Sequence, residues 1–358
     1  MVLKRKIKNK KNMKRIITCS DGTWNKPSVT QKGKPIRTNV QKIFDLICKR
    51  DDKNVLQIKY YDQGIGAEGT WFTRTFEGAT GKGIDNNIMD AYKFIVWNYE
   101  PGDEIYLFGF SRGAYTARSL AGLIRKSGIL KKNDLNLLSK AYLLYRNHNA
   151  GPESDEAVQF RANNSFEVYN IKFIGVWDTV GSLGIPLHLF QWFNKKKYSF
   201  YDTTLSSIVK YAYHAISIDE NRGNFKPTLW ELSPNRARDF EQILEQRWFA
   251  GVHSNIGGGY PDEGLSDIAL KWITEKAADT GLGYDLKKLE AEIKGNETGK
   301  LYKSATGIFS LLPKSEREIT TGVVDDSVFR RMKLVDGYKP KNVNVTMQTN
   351  APEVVPLT

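Results

Sequence analysis

The residues best suited to chemistry lie between Glu104 and Arg118, in the run EIYLFGFSRGAYTAR. An apolar segment rich in strand formers ends in Gly109-Phe110-Ser111-Arg112-Gly113, and a helical pattern follows at once. A serine on so tight a strand-to-helix turn is lifted clear of its sheet, and the flanking glycines leave no side chain to crowd it. The helix that follows opens with N–H groups that have no acceptor inside it. The first of these, on Arg112, is placed to hold an oxyanion. Together they spell nucleophilic attack on a carbonyl through an acyl intermediate. Gly-x-Ser-x-Gly alone arises often by chance. A glycine-rich turn with a solvated serine would account for the glycines, but not for the strand before or the helix after.

A serine nucleophile needs a base, and the base an orienting acid. Residues 168 to 177 read as a strand that ends directly at Asp178, an acid at a strand's C-terminal end. The competing reading of Asp178 is a helix or turn cap. Of four histidines, His148 lies in a polar loop, His188 in an aromatic insertion, and His214 among apolar neighbours in a stretch (206–218) read as a helix. His253 alone follows a strand (243–252) and enters a glycine-rich loop, His253 to Tyr260. The order serine, acid, histidine is the one a nucleophile elbow leads to. A second oxyanion donor is expected from the loop after the first strand, Arg15 to Ser20. There Asp21-Gly22-Thr23-Trp24-Asn25 makes a glycine turn, and the backbones of Gly22 and Thr23 are the candidates, against an ordinary Asp-Gly turn.

The elements that must position these residues alternate. A helix is expected from Thr38 to Lys49, a strand from Val55 to Tyr61, a helix from Ile84 to Tyr99, and the elbow helix up to Gly128. A helical excursion follows over 135–145, then strands at 225–232 and 243–252 and a helix over 266–277. Gly78-Ala79-Thr80-Gly81-Lys82-Gly83 is no phosphate loop, because its glycines are too close and no Ser or Thr follows the lysine. Between Gly181 and Tyr198, Leu187, Phe190 and Trp192 precede Lys195-Lys196-Lys197, which suits a lid that meets a lipid surface or an insertion packed inward. Trp24, Phe110, Leu187, Phe190 and Trp192 are the candidates for touching substrate. The expected fold is α/β, a mostly parallel sheet flanked by helices, with helical insertions forming a lid. The expected organisation is a basic tail (1–14), a catalytic domain (15–282, with the lid at about 181–208) and a C-terminal appendage (283–358) packed on it.

The chain has 358 residues, 40% of them hydrophobic, which supports one large core. Cys19 and Cys48 give neither a disulfide framework nor a zinc spacing, so a reducing, cytoplasmic setting is expected, with Cys19 a small core residue. No apolar run is long enough for a helical span, and the basic N-terminus precedes a strand rather than a signal-peptide core, which speaks against Sec export. A net charge of +13 suits an anionic partner or simply a solvated lysine-rich surface.

The chain resembles the type VI secretion phospholipase effectors of the first lipase class. The likeness runs through Asp21 to Asn25, Thr38-Asn39-Val40, Gly109 to Leu123, Gly175 to Val180, Tyr213-His214-Ala215, Asp219-Glu220, Gly251 to Pro261 and Leu265 to Leu270. A weaker likeness, in Ser327-Val328, Arg331 and Tyr338-Lys339-Pro340, reaches the tail. It implies an α/β-hydrolase fold, a triad at Ser111, Asp178 and His253, and phospholipid esters as substrate. It also implies delivery without a Sec signal, and leaves an immunity or secretion partner open. Asn255 stands where the family usually has an acid, and the chain has little room for the family's membrane-anchoring module. Neither a metal nor an organic cofactor is expected for this chemistry, and no nucleic acid as partner. Two other readings stay open on the residues: a soluble carboxylesterase or thioesterase, and a non-catalytic module that binds polyanions or membranes.

Overall fold

The computed structural model describes residues 13–22, 30–31, 34–64, 82–166, 170–180, 203–223, 225–232, 241–305, 313–344 and 353–355. The chain runs β1 (Arg15–Ser20), a hairpin of β2 (Thr30–Gln31) and β3 (Lys34–Pro35), α1 (Asn39–Leu46), β4 (Gln57–Asp62), α2 (Lys82–Asn98) and β5 (Glu104–Phe110). Helix α3 (Arg112–Ser127), β6 (Ile129–Leu130), a 3-10 turn (Lys132–Leu137), α4 (Leu138–Arg146), α5 (Asp155–Asn164), β7 (Ser165–Phe166) and β8 (Ile171–Trp177) follow. Then come β9 (Val209–Ser217), β10 (Gln242–Phe249), α6 (His253–Gly257), α7 (Gly264–Asp279), α8 (Leu286–Glu292), β11 (Val323–Val324), α9 (Asp326–Leu334) and β12 (Glu353–Val355).

One sheet organises the molecule, in the order β11-β10-β9-β8-β5-β1-β4, with every neighbour along that path parallel and β12 antiparallel on β10. A parallel sheet is covered on both faces, and its strands accordingly read as apolar runs: all six residues of β1 are buried, Cys19 among them. Alternate residues serve opposite faces. Ile16, Ile105, Leu107, Ile174 and Ala212 pack with Ile88, Ile95, Leu120 and Ile124 of α2 and α3. Ile17, Cys19, Tyr106, Phe108, Phe173 and Trp177 pack with Val40 and Ile43 of α1 and Leu270 and Ile273 of α7.

After β1 the chain places β4 on one side of that strand and β5 on the other, so the winding reverses between β1 and β5. The crevice beyond the C-terminal ends of strands at such a point is where open α/β sheets hold ligands. β5 delivers Ser111 there, and β1 delivers Asp21 and Gly22.

Two expected elements differ. Residues 206–218, read as a helix, hold strand β9. Ala212 to Ser217 are all buried, so both faces carry core residues and no two-residue alternation shows. Such a run cannot be told from a buried helix by periodicity, although Val209, Tyr211, Tyr213 and Ile216 are strand formers. Residues 225–232 make only isolated bridges, Val180 with Pro227 and Thr204 with Glu231. Pro227 has no N–H to give a ladder. Of the stretch nominated as a lid, residues 181 to 202 lie outside the described residues, while Leu205 and Ile208 near its end are buried.

Candidate active site

The elbow is built by close approach. A Cβ at Gly113 would sit 1.9 Å from the carbonyl oxygen of Ser20, and one at Gly109 would sit 2.2 Å from that of Gly113. Only glycine lets α3 start so near the ends of β1 and β5. Ser111 between them takes φ 57° and ψ −117°, a strained backbone for a residue with a side chain. Its N–H donates to the Trp177 carbonyl at 3.0 Å, which fixes the turn against the end of β8.

Asp178 follows Trp177 directly and also has a positive φ, 41°. Of the three described non-glycine residues with positive φ, two are therefore the candidate nucleophile and the candidate acid; the third, Asn54, sits in a turn. Phe110 pairs with Trp177 in register, so Ser111 and Asp178 leave neighbouring strands at the same level. Asp178 is fully buried and holds His253, its Oδ2 lying 2.5 Å from the imidazole Nδ1. A carboxylate can only accept, so Nδ1 carries the proton and Nε2 is the basic nitrogen of the neutral ring. Burial would raise the carboxyl's pKa. The Arg317 charge and the hydrogen bonds from His253 and Arg317 outweigh it and hold Asp178 well below the usual carboxylate range.

His253 opens α6, past the end of β10, and is itself buried. Its ring lies between Phe110, centroids 4.7 Å apart, and Phe225, an edge-on contact at 5.2 Å. The residue before the candidate nucleophile is thus a wall of the candidate base. Two carboxylates just past β9 secure the histidine loop. Asp219 Oδ2 accepts the Gly251 N–H at 2.7 Å, and Glu220 Oε2 accepts the His253 N–H at 3.2 Å. Glu220 is held in turn by Arg222 and by the Ser304 hydroxyl at 2.9 Å.

Asn255 stabilises the same loop. Its Oδ1 accepts from the N–H groups of Val252 and Tyr302, and its Nδ2 donates to the Lys300 carbonyl at 3.0 Å. An acid there could not make that last bond. Asn39 Nδ2 donates to the Ile256 carbonyl in α6 and to the Ser266 carbonyl in α7, and the Thr38 and Tyr61 hydroxyls both donate to Asp21.

Among the nominated oxyanion donors, Arg112 heads α3, with its guanidinium pKa pushed down to about 9 by burial. The N–H of Gly22 donates to Asp21 Oδ1 at 2.6 Å. Thr23 and Trp24, with Leu187, Phe190 and Trp192, lie outside the described residues. Phe110 is almost wholly buried against His253.

His214 has the satisfied core position expected of it, although in a strand. Its Nε2 accepts the Thr179 N–H at 3.1 Å, Nδ1 faces Gln246 Oε1, and burial pushes its pKa down to about 3. Sequence reasoning missed Arg317, a buried side chain whose Nη1 and Nη2 reach both oxygens of Asp178. Its position in a weakly patterned stretch gave no signal. Asp219 and Glu220 had one, an acidic pair directly after an apolar run.

A cavity of about 200 Å³ runs along α3, lined by Tyr115, Arg118, Arg125, Lys126 and Trp230, and touches none of Ser111, Asp178 or His253. Several of its cations are engaged structurally, Arg125 with Glu153 and Lys126 with the Tyr145 and Asn147 carbonyls. No group of three or more His, Cys, Asp or Glu side chains among the described residues is arranged to hold a metal ion.

Residues 14–276 match the family described as type VI secretion system phospholipase effector, Tle1-like, catalytic domain. The chain belongs to this family. An uncharacterized protein of Saccharomyces cerevisiae, YEL023C, is 33% identical over 243 residues, which are 62% of this chain and 33% of that protein. Among solved structures, an uncharacterized protein from Pseudomonas aeruginosa is 19% identical, with a TM-score of 0.46 over 80% of this chain and 49% of that one. The Tle1 effector bound to the VgrG spike of the type VI secretion system is 22% identical, with a TM-score of 0.41 over 71% of this chain and 52% of that one. The chain thus spans about a third of the yeast relative's length and about half of each solved chain. Among the described residues no helix is long and apolar enough to cross a membrane.

Proposed function

We propose that this member of the Tle1-like family is a serine hydrolase that cleaves carboxylic esters of lipids, phospholipids foremost. Ser111 Oγ attacks the ester carbonyl while His253 Nε2 takes its proton and then returns it to the leaving alcohol. Asp178 holds the imidazole and stabilises the imidazolium, and water releases the acyl-enzyme by the same route. The oxyanion is held by the Arg112 N–H and by a second donor from the loop after β1, where the Gly22 N–H serves only once it leaves Asp21 Oδ1. The observation that carries this reading is the 2.5 Å contact between buried Asp178 and His253 Nδ1, at a sheet end where Ser111 occupies a strained elbow. Family membership supports a lipid ester rather than a small soluble one, and a type VI route of export rather than Sec. The net charge of +13 favours anionic lipid surfaces.

Hydrolysis of p-nitrophenyl esters from two to sixteen carbons tests this, with wild type and Ser111→Ala and with and without anionic vesicles. Expected is activity on long chains that rises with vesicles and falls by about 10³-fold or more in the variant. Activity confined to short chains would replace the lipase with a soluble esterase. Activity unchanged in Ser111→Ala would overturn the mechanism.

A further inference from the structure

Arg317 lies well beyond residue 276, where the family match ends, yet it is one of the most constrained side chains near the candidate triad. Its side chain is 2% exposed. Nη1 donates to Asp178 Oδ1 at 2.6 Å and to the carbonyl and hydroxyl of Ser217 at 3.0 and 2.7 Å. Nη2 donates to Asp178 Oδ2 at 3.1 Å and to the Phe225 carbonyl at 2.5 Å. The Ser217 N–H adds a bond to Oδ1 at 2.9 Å. The carboxylate therefore accepts from four donors, and the histidine is only one of them.

We infer that Arg317 is a positioning residue for ester hydrolysis, a two-pronged clamp that sets both the orientation of Asp178 and the readiness of the Asp178–His253 pair to take up a proton. The inference rests on the serine-hydrolase reading.

Two physical consequences follow. A planar guanidinium gripping both oxygens fixes the carboxylate's rotation, and with it the direction in which His253 is held. A fixed positive charge beside the carboxylate also offsets part of its field. Without it, the carboxylate's full field would act on the imidazole. The same arginine ties Phe225, which walls the imidazole, to Ser217 at the end of β9. The clamp thus bears on both the acid and a face of the base.

The test uses the full chain with p-nitrophenyl butyrate and the variants Arg317→Met, Arg317→Lys, Asp178→Asn and the double Arg317→Met/Asp178→Asn. Thermal melts establish which of them fold. Arg317→Met is expected to lower kcat by about 10- to 100-fold with KM within about twofold, as for a contact that matters in the transition state. The acid limb of its pH profile should move to higher pH by about half a unit or more. Arg317→Lys keeps the charge and loses the fork, so it should restore the limb while kcat stays depressed. With Asp178→Asn already present, removing the arginine should cost less than about twofold more, because it acts through the carboxylate.

A folded Arg317→Met with unchanged kcat and pH profile would overturn the inference, as would a fully additive loss in the double variant. If Arg317→Met does not fold, Arg317→Lys decides, and wild-type kcat there would overturn it. If the folded wild type cleaves no ester, the serine-hydrolase reading fails. The downfield proton resonance of the His253 Nδ1–H then decides about the clamp itself. It should broaden or vanish in Arg317→Met and persist in Arg317→Lys, and persistence in Arg317→Met would overturn the clamp.

Discussion

His214 and His253 both stand near Asp178, and their surroundings give them opposite duties. His253 faces the carboxylate through Nδ1, whereas His214 offers Nε2 to the N–H of Thr179, the residue after it. His214 has no exposure, and burial first, then the Arg118 charge, pushes its pKa down to about 3. The unfolded value is about 6.5. The folded value is the lower one, so the stability tied to this neutral ring is fully present above about pH 6.5. It is lost as pH falls toward 3, by up to about 1.4 kcal/mol per pH unit. Asp178, also depressed, contributes in the same direction, but only below the ordinary carboxylate range near pH 4. The interval from pH 6.5 to about 4.5 separates the two. His214→Gln can keep an acceptor for Thr179 but cannot take up a proton. Its unfolding free energy is expected to be lower than wild type at pH 7, and to fall by about 2 kcal/mol less than wild type over that interval. Urea titrations at a series of pH values measure both slopes, and parallel slopes would show that His214 is not the group responsible.

At the scale of elements, the close approach of β1, β5 and α3 leads to a different expectation. Gly113→Ala forces a Cβ to within 1.9 Å of a backbone oxygen, which no rotamer change can relieve. It should cost about 3 kcal/mol or more, at the upper end of overpacking, and displace the elbow, so that hydrolysis falls with stability. Gly151→Ala is the control, since a Cβ there meets nothing within 4 Å and should change stability by less than about 0.5 kcal/mol. Urea midpoints compare the two. The elbow was legible in the sequence because strand, turn, glycines and helix are all local, within Glu104 to Arg118. Asp178 and His253 could be nominated from the sequence because the first follows β8 directly and the second comes four residues after the end of β10. β9 was not, because burial on both faces erased its alternation. Arg317 could not be read at all: its bond to Asp178 spans 139 residues and depends on the path of a segment with no strong periodicity of its own. The nomination of Gly22 rested on a turn pattern, and patterns do not reveal that Asp21 Oδ1 accepts its N–H.

At the scale of the whole molecule, the end of the family match at residue 276 and the edge of the packed unit do not coincide. Beyond it, β11 pairs with β10, and Val324, Val328, Phe329 and Tyr338 form a core with Ile216, Ile218 and Trp248. The indole N–H of Trp248 donates to the Thr321 carbonyl, and the Tyr338 hydroxyl to Asp219, the carboxylate that also holds Gly251. Lys300, Tyr302 and Ser304 supply partners to Asn255 and Glu220 at the histidine loop. A chain cut after Leu282 would therefore expose the Trp248 face of the sheet and leave Asp178 buried without its cation. Removing one partner of a buried ion pair typically costs about 3–5 kcal/mol, a large part of a domain's net stability, before the lost apolar contacts are counted. Residues 1–282 alone are accordingly expected to lack a cooperative thermal transition, to bind a hydrophobic dye, and to hydrolyse no ester. Calorimetry on the truncated and full chains checks this. A truncated chain that melts cooperatively and keeps ester hydrolysis would show that the matched segment is sufficient by itself, and that the contacts from residues 283–344 are additions to a site already complete.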